Sequence, residues 1–440
     1  MQKLDSFSTD MKKTLLTAFM VAAAVATWAQ SGTNSPYSQY GFGKLSDQST
    51  GFNRGMNGLA MGFRDGNQVN FLNPASYSSV DSLTFIFDAG VSGQLTNFNE
   101  NGLKKNAKNA DFEYAVAAFR ALPNLGVSFG VVPFTNVGYN YSNSNEVGDM
   151  NSTYYVNTYS GNGGLHQAYL GFGWQPFKGL SIGVNGSYLW GDYDRSVVNS
   201  YSDGYVNTIS KYYSADVQNY KIDAGLQLYF KLSKKTDLLF GATYGYGHKI
   251  DADPEVKIIS RNTQTAVSDT TTFVVKDGLE LPSVFTAGFL IDHEKRIRFG
   301  ADFSLQKWGD TSFPVDTKVN NVSSYELSKN YFKDVKKITV GGEYCRNPLS
   351  RKFFNTVRYK VGASYTTPYL IINGKDGPKE LGVSAGFSFP ISNQWNNRSI
   401  LNISGQWVHA SGTGMLTENT FRINIGLTFN ERWFMKWKVE

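Results

Sequence analysis

Residues suited to catalysis are scattered along this chain instead of forming a group. The four histidines fall in four different segments, and no two have the short spacing with which paired ligands hold a metal ion. A nucleophilic hydrolase needs a serine, a histidine and an orienting polar group brought together, and no serine stands out as a partner for His248. We therefore predict that the protein is not an enzyme, with no metal site and no cofactor. The histidines are His166, His248, His293 and His409.

Other polar patterns are equally weak. The run Asp251-Ala-Asp-Pro-Glu255 resembles part of a calcium-binding loop, but it lacks the glycine and the terminal glutamate of the twelve-residue pattern, so we interpret it as a solvated loop. Cys345 is the single cysteine of the chain, which excludes an internal disulfide. The formal net charge of +6 is modest for 440 residues and includes no basic run suited to nucleic acid, so we expect no nucleic-acid partner.

The composition indicates a membrane protein built from strands. Charged residues make up 18% of the chain, below the roughly 25% of a soluble domain, and aromatic residues make up 15%. The mean hydropathy of −0.32 and the lack of a long apolar run beyond the N-terminus argue against membrane-spanning helices. Few charges with many Tyr, Phe and Gly are typical of an outer-membrane barrel. An array of secreted β-sandwiches is the alternative on composition alone.

Residues 1–29 have the pattern of a signal peptide. A basic start at Met11-Lys12-Lys13 is followed by an apolar stretch, and Thr27-Trp28-Ala29 precedes Gln30. We predict cleavage after Ala29 and export to the outer membrane.

Fourteen segments beyond residue 81 alternate between apolar and polar residues. In residues 421–429, for example, Phe421, Ile423 and Ile425 fall on one side, and Arg422 and Asn424 fall on the other. Such alternation predicts a strand with one apolar face. A soluble sandwich would show the same local pattern, so the strands alone do not distinguish the two architectures.

The connections between these segments favour a membrane barrel. Short turns alternate with long connections at residues 142–164, 194–217, 251–281 and 308–335, as in barrels with short periplasmic turns and longer outer loops. We predict an all-β fold, a 14-stranded antiparallel transmembrane β-barrel over residues 81–430. Residues 431–440 would form a C-terminal periplasmic tail or the end of the last strand. The amphipathic stretch 421–429 resembles the signal that barrel-assembly machinery reads, so we expect that machinery as a partner during biogenesis.

The residues ahead of the first strand are rich in glycine. Gly55, Gly58 and Gly62 are spaced three or four apart, which suggests positive φ angles and close backbone approach in a compact, irregular segment. Asn73-Pro74-Ala75 follows, and Pro74 cannot donate to a strand ladder. A plug-like segment therefore leads directly into the first strand.

This N-terminal stretch resembles the FadL-type family of outer-membrane long-chain fatty-acid transporters. Mature members begin with a Gly-Met-Gly-Gly-Ala stretch, then an acidic residue, then Asn-Pro-Ala. Here residues 55–60, Asp65 and Asn73-Pro74-Ala75 occupy those places, with Asn57 replacing a glycine. The family has fourteen strands, as predicted above, and the style of the sequence suggests a Bacteroidota-like member. The resemblance implies that residues 30–80 form a hatch inside the lumen, and we expect a monomer.

Charged residues on the polar side of several strands are expected to face this hatch. Arg298, Asp302, Lys221, Asp223, Arg358, Lys360 and Arg422 share the phase of Ser and Gly in their strands. They could pair with each other or with three charged residues of the hatch, Arg54, Arg64 and Asp65. A charged lumen around a plug is a structural expectation, and it does not by itself predict a ligand site.

The resemblance also implies a lateral opening made by a kink in the third strand. In this sequence Pro133 lacks a ladder donor and Gly130 weakens the strand just before it. We hypothesise that the strand bends inward and opens a portal toward lipid. The alternative is a bulge near the rim of the barrel. The predicted portal residues are Phe129, Gly130, Pro133 and Phe134.

Two functions remain open on the sequence. The family function implies a passive channel for hydrophobic compounds such as long-chain fatty acids, which would pass laterally into the bilayer through the third strand. Its pocket would use apolar hatch residues, whose alternative role is packing that seals the plug.

The second function is a PorV-like, non-transporting outer-membrane adaptor of a protein secretion system, whose loops hold protein cargo. A continuous apolar cavity reaching the third strand would favour the channel. The candidate pocket residues are Met56, Leu59, Met61, Phe63, Phe71 and Leu72.

Overall fold

Fourteen antiparallel strands form a closed barrel, as predicted. The computed structural model describes residues 32–147, 154–319, 322–392 and 398–432, so the signal peptide and residues 433–440 of the predicted tail lie outside the described residues. Each strand pairs with its neighbours in chain order, and β14 pairs with β1 over Thr84–Asn99, which closes the sheet. The strands are β1 (Thr84–Glu100), β2 (Leu103–Leu122), β3 (two segments, Leu125–Pro133 and Thr135–Glu146), β4 (Tyr154–Phe177), β5 (Leu180–Tyr201), β6 (Thr208–Lys231), β7 (Thr236–Gly245), β8 (Val284–His293), β9 (Ile297–Gln306), β10 (Val335–Cys345), β11 (Arg358–Thr366), β12 (Lys379–Ser392), β13 (Arg398–Ser411) and β14 (Thr417–Arg432).

The strands turn their apolar side outward. In β14, Phe421, Ile423 and Ile425 are 45–62% exposed, whereas Asn424 and Thr428 are buried against the lumen. The same alternation recurs around the wall, so the outer surface carries a band of large apolar side chains such as lipid would cover. Within the described residues, no helix is both long and apolar enough to cross a bilayer.

The strands differ greatly in length, which corrects two predicted loops. β4 and β6 have 24 residues and β5 has 22, whereas β7, β8 and β9 have 10 each. About ten residues cross the hydrocarbon layer, so β3–β6 project beyond it at one end. Most of residues 142–164 and 194–217 is therefore strand, and the prediction of loops there was wrong. Beyond the bilayer neither face needs apolar residues, so the alternation that marks a strand is missing.

The two ends of the barrel differ. At one end, here called the turn end, residues 123–124 and 178–179 make tight turns. At the other end, here called the loop end, residues 246–283 and 307–334 form long connections. Both long connections contain hairpins: Glu255–Arg261 with Ser268–Val274, and Phe313–Val319 with Val322–Ser328.

The residues before β1 fill the lumen as a hatch. The helical turn Gly51–Arg54 contacts β1 and β12–β14, and Pro74–Ser79 contacts β2–β6. Between these turns, the hatch touches β7 and β8 at Gly62 and β10 and β11 at Met56. Small wall residues allow this approach, since a Cβ atom at Gly183 would lie 2.3 Å from the carbonyl carbon of Pro74.

An aromatic cluster closes the lumen at the loop end. Phe42 of the hatch packs on Trp308 with ring centroids 5.5 Å apart, and Trp308 packs on Phe332 at 5.2 Å. Tyr369, from the connection between β11 and β12, adds a further ring 5.6 Å from Trp308. Phe42, Trp308 and Phe332 are each at most 3% exposed, so this loop-end cluster covers the hatch on the side of the loop end.

Candidate functional site

The hatch motif residues act mainly through close packing. Gly58 has a φ of +87° and follows Asn57 at +54°, so the predicted left-handed turn is present there. Gly55 and Gly62 are not at positive φ. They are needed for space, because a Cβ atom at Gly62 would lie 2.5 Å from Leu290 Cβ, and one at Gly55 would lie 3.1 Å from Lys360 Cβ.

The Asn-Pro-Ala motif ties the hatch to itself and to the wall. Asn73 caps the turn Pro74–Ser79, because its side chain accepts a hydrogen bond from the Ala75 amide. Its Nδ2 donates to the carbonyl of Met61 at 3.0 Å and to that of Leu226, in β6, at 3.3 Å. Asn73 and Ala75 are fully buried, so one asparagine side chain fixes three backbone segments.

The third strand is interrupted at Phe134. Val131 pairs with Ala115 of β2 and with Ala168 of β4, whereas Val132 and Pro133 pair with β4 only. Toward the loop end from this point, no ladder joins β2 to β3 in the described part of the chain. We call this break in the wall the seam.

Two of the four predicted portal residues lie on the turn-end side of the seam, where β3 still pairs with both neighbouring strands. Gly130 pairs with both neighbouring strands, and Phe129 does the same. The Phe129 side chain is 41% exposed on the outer face, where it packs near Phe85. Pro133 and Phe134 lie at the interruption itself, and the Phe134 amide donates to the carbonyl of Leu165 at 2.7 Å.

The hatch occupies the first part of the seam beyond Phe134. Lys44–Leu45 pairs with Thr135–Asn136 of β3. On the β2 side, Asn34 Nδ2 donates to the Lys108 carbonyl at 3.2 Å, and on the β3 side the Gly138 amide donates to Ser38 Oγ at 3.1 Å. Residues 32–46 therefore bridge the two strands that fail to pair.

The cavity beside the seam is lined by both apolar and charged residues. It has a volume of about 220 Å³ and lies between the hatch and strands β1–β3 and β9–β14. Within it, Ser35 Oγ donates to Glu418 Oε1 at 2.6 Å, and Lys44 Nζ lies 3.8 Å from the second oxygen of that carboxylate. An apolar ligand there would desolvate charges without pairing them. The charged lining residues are Lys44, Asp47, Asp111, Glu113, Lys337, Glu380, Glu418 and Arg422.

A second cavity of about 220 Å³ lies on the other side of hatch residues 45–47. Met61, Phe71 and Leu72 of the hatch and Phe134 of β3 line it, together with the charged residues Lys221, Asp223, Asp302 and Lys337. The other candidate pocket residues do not line it. Met56, Leu59 and Phe63 pack with Phe52, Leu239 and Leu290 in a buried cluster.

An ion-pair network fastens the hatch to the wall near the turn end. Arg298 of β9 makes a bidentate contact with Asp65 of the hatch, at 2.7 and 2.9 Å. Its Nε donates to Asp292 at 2.9 Å, and its Nη1 lies 3.1 Å from Glu343. Burial alone would raise the pKa of the Asp65 carboxyl, but the Arg298 guanidinium overcomes that effect and holds this pKa well below its usual range.

A second buried pair anchors the hatch on the opposite wall. Arg54 of the hatch lies 2.6 Å from Glu113 of β2 and also donates to Asn424 of β14 at 3.2 Å. Sequence analysis did not name Glu113, although it shares the lumen phase of Asp111. Arg64 pairs with no carboxylate in the described residues; it donates to Gln175 at 3.0 Å and to Ser181.

The residues suited to catalysis remain apart. His248 stacks on Tyr220 at 4.3 Å and His166 on Trp190 at 5.9 Å, and His409 packs on Trp407 with tilted rings at 5.9 Å. Among the described residues, no group of three or more His, Cys, Asp or Glu side chains is placed to hold a metal ion.

A fourteen-stranded barrel with an internal hatch and an interrupted third strand is the FadL-type architecture. The chain belongs to the BamG family, whose model matches residues 11–440. No curated protein sequence matches it.

Solved structures share this fold at low sequence identity. The Pseudomonas putida toluene transporter TodX has a TM-score of 0.58 at 16% identity, covering 89% of this chain and 100% of that one. A Pseudomonas aeruginosa FadL homologue has a TM-score of 0.58 at 10% identity, covering 87% and 98%. The CymD monoaromatic hydrocarbon channel has a TM-score of 0.56 at 14% identity, covering 89% and 99%. Identities this low show a shared fold and no more.

Replacing Arg298 by leucine should loosen the hatch. The change leaves Asp65, Asp292 and Glu343 without their shared cation, and removing one partner of a buried ion pair costs about 3–5 kcal/mol. The measurement is the free energy of unfolding in detergent micelles, with limited proteolysis to report release of the hatch. Lys235→Gln is the matched control, because its pair with Glu294 is exposed and should give no measurable change. Equal stability of the two variants would contradict this role.

Acid should weaken hatch docking through Asp65. Because its pKa in the folded protein lies below the unfolded value of about 3.9, its stabilising effect is fully present above that value and is lost as the pH falls below it. We expect the unfolding temperature to fall as the pH is lowered from about 4 toward about 2. Asp65→Asn should show a smaller fall over that range, whereas the exposed Asp269→Asn should behave as wild type. An unaltered profile in Asp65→Asn would refute the assignment.

Proposed function

We propose that this protein is an outer-membrane barrel that acts as a non-transporting partner in the assembly of other outer-membrane barrels. It has no catalytic activity of its own. The proposal divides the chain into a signal peptide (residues 1–29), a hatch (30–80), a barrel (81–430) and residues 431–440, which form a periplasmic tail or the end of the last strand, in a Bacteroidota-like, monomeric barrel. It extends the adaptor alternative raised by the sequence, with barrel-assembly machinery in place of a secretion system.

The observation that carries the proposal is that the hatch and the loop-end cluster close the lumen of the barrel. The hatch contacts the wall on all sides, the loop-end cluster covers it, and residues 32–46 bridge β2 and β3 at the seam. Two cavities reach the third strand, and both are lined in part by charged side chains. A hydrophobic compound would therefore meet charged groups in either cavity and the hatch segment in the seam.

The family supports the choice of partner. The BamG model matches nearly the whole chain, and its name associates the family with barrel assembly. The strands β3–β6 project beyond the bilayer at the loop end, which offers a protein partner a surface that a passive pore would not need.

Depletion of the protein tests this function. We expect folded outer-membrane barrels to become scarcer, as judged by their heat-modifiable migration in gels, while soluble periplasmic proteins keep normal levels as the internal control. The tagged full-length protein, extracted from native membranes, should copurify with subunits of the barrel-assembly machinery. Normal barrel levels after depletion would overturn the proposal.

A second candidate, passive diffusion of a hydrophobic compound, is favoured by the interrupted third strand. Met61, Phe71, Leu72 and Phe134 line a cavity that reaches the interruption, and TodX is described as a toluene transporter. In this candidate, the hatch segment in the seam moves aside and the compound leaves toward lipid. Fatty acids and monoaromatic hydrocarbons are the substrates to test.

Pro133→Val tests the channel directly. Valine supplies the missing backbone donor, so the third strand should straighten and uptake should fall several-fold with assembly intact. The measurement is uptake of a labelled hydrocarbon by a deletion strain that carries each version of the protein. Pro123→Val, in the turn between β2 and β3, is the control and should transport as wild type. Normal uptake by Pro133→Val at normal expression counts against the channel.

A further inference from the structure

The seam continues beyond the hatch as two facing strand edges. We call its outer part, Leu103–Ala107 of β2 and Tyr139–Glu146 of β3, the upper seam. The first edge pairs with β1 on its other side, and the second pairs with β4. Between the two edges the described residues show no ladder. Most side chains of both edges are exposed, so an incoming chain would reach their backbone groups.

The lower part of the seam shows what such edges bind. There, hatch residues Lys44–Leu45 form a ladder with β3. On the other side, the Asn34 side chain donates a hydrogen bond to a backbone carbonyl of β2. The upper seam continues the same two strands without an occupant from this chain in the described residues. Unpaired edges of this kind are templates for an added strand.

The charges of the upper seam select among partners. Lys104 and Lys105 lie in the upper seam on the β2 edge, Lys108 lies one residue beyond it, and all three are exposed, whereas Glu146 is the one formal charge on the β3 edge. Lysine on an edge discourages pairing with neutral strands and favours a strand that carries carboxylates. The β3 edge contains neither lysine nor proline, the residues that usually protect an exposed edge.

We propose that the upper seam binds an extended, acidic strand of a partner protein by β-augmentation. The inference rests on the proposed role in barrel assembly and specifies its docking surface. The strand lies between Leu103–Ala107 and Tyr139–Glu146, pairs with β3 through backbone hydrogen bonds, and turns its carboxylates toward the lysines of β2.

Photo-crosslinking in native membranes tests the backbone ladder. A photoreactive residue is placed in the full-length protein at Asn140, Ser142 or Ser144, all exposed on the free edge. Thr158 is the matched control, because it lies opposite Ser142 on β4 and has a strand on both sides. We expect all three edge positions, and not Thr158, to link to one acidic segment, with the linked residue moving two positions per step. Scattered links, no links, or links to a second copy of this chain would overturn the inference.

Charge reversal tests the lysines. Lys104, Lys105 and Lys108 are changed together to glutamate, and the control reverses the exposed Lys178, Lys231 and Lys234 at the turn end. We expect the edge cross-link to fall about tenfold or more in the first variant and to be unchanged in the second. If depletion impairs barrel assembly but the first variant assembles barrels and cross-links like wild type, the inference of an acidic strand held by the lysines is wrong and the proposed function stands. If depletion has no effect on assembly, the proposed function itself fails.

Discussion

One constraint governs this structure: inside a bilayer, every backbone N–H and C=O group must find its partner within the protein. Fourteen strands meet it by closing on themselves through the ladder between β1 and β14. The wall fails to meet it at the seam, where β3 breaks at Phe134 and β2 loses its neighbour. There the hatch supplies the missing groups through Lys44–Leu45 and Asn34. The hatch is therefore part of the wall as well as a plug.

The same constraint explains why the interior is polar. Lipid covers the apolar side of each strand, so the other side carries charged and polar residues that must pair once the hatch fills the lumen. Arg298 with Asp65 and Arg54 with Glu113 do this on opposite walls. Buried pairs of this kind add little net stability, but a misplaced hatch would leave them broken, so they fix its position.

How much of this the sequence could reveal varied from residue to residue. The alternation of apolar and polar residues predicted strand β14 correctly, because Phe421, Ile423 and Ile425 all lie on its outer face. It also gave the lumen phase of Arg298, from which pairing with another lumen charge or with a charged hatch residue was predicted, and the structure shows that the partner is Asp65. It missed the outer halves of β4–β6, where no face touches lipid. Phe129 shares the outward phase of Leu125, so its exposure could have been anticipated, but its nearness to Pro133 suggested a place in the lateral portal. The partnership of Arg54 with Glu113 joins residues far apart in the chain, and no local pattern reports it.

The sequence by itself determined that this is a fourteen-stranded, lipid-facing barrel preceded by a hatch, because periodicity and turn spacing are properties of residues adjacent in the chain. Only the tertiary structure decided where the wall opens, what fills the opening and whether the lumen is apolar. Those features depend on which strand edges and which side chains meet across the barrel, and residues as distant as Asn34 and Lys108 come together there through the closure of the whole sheet.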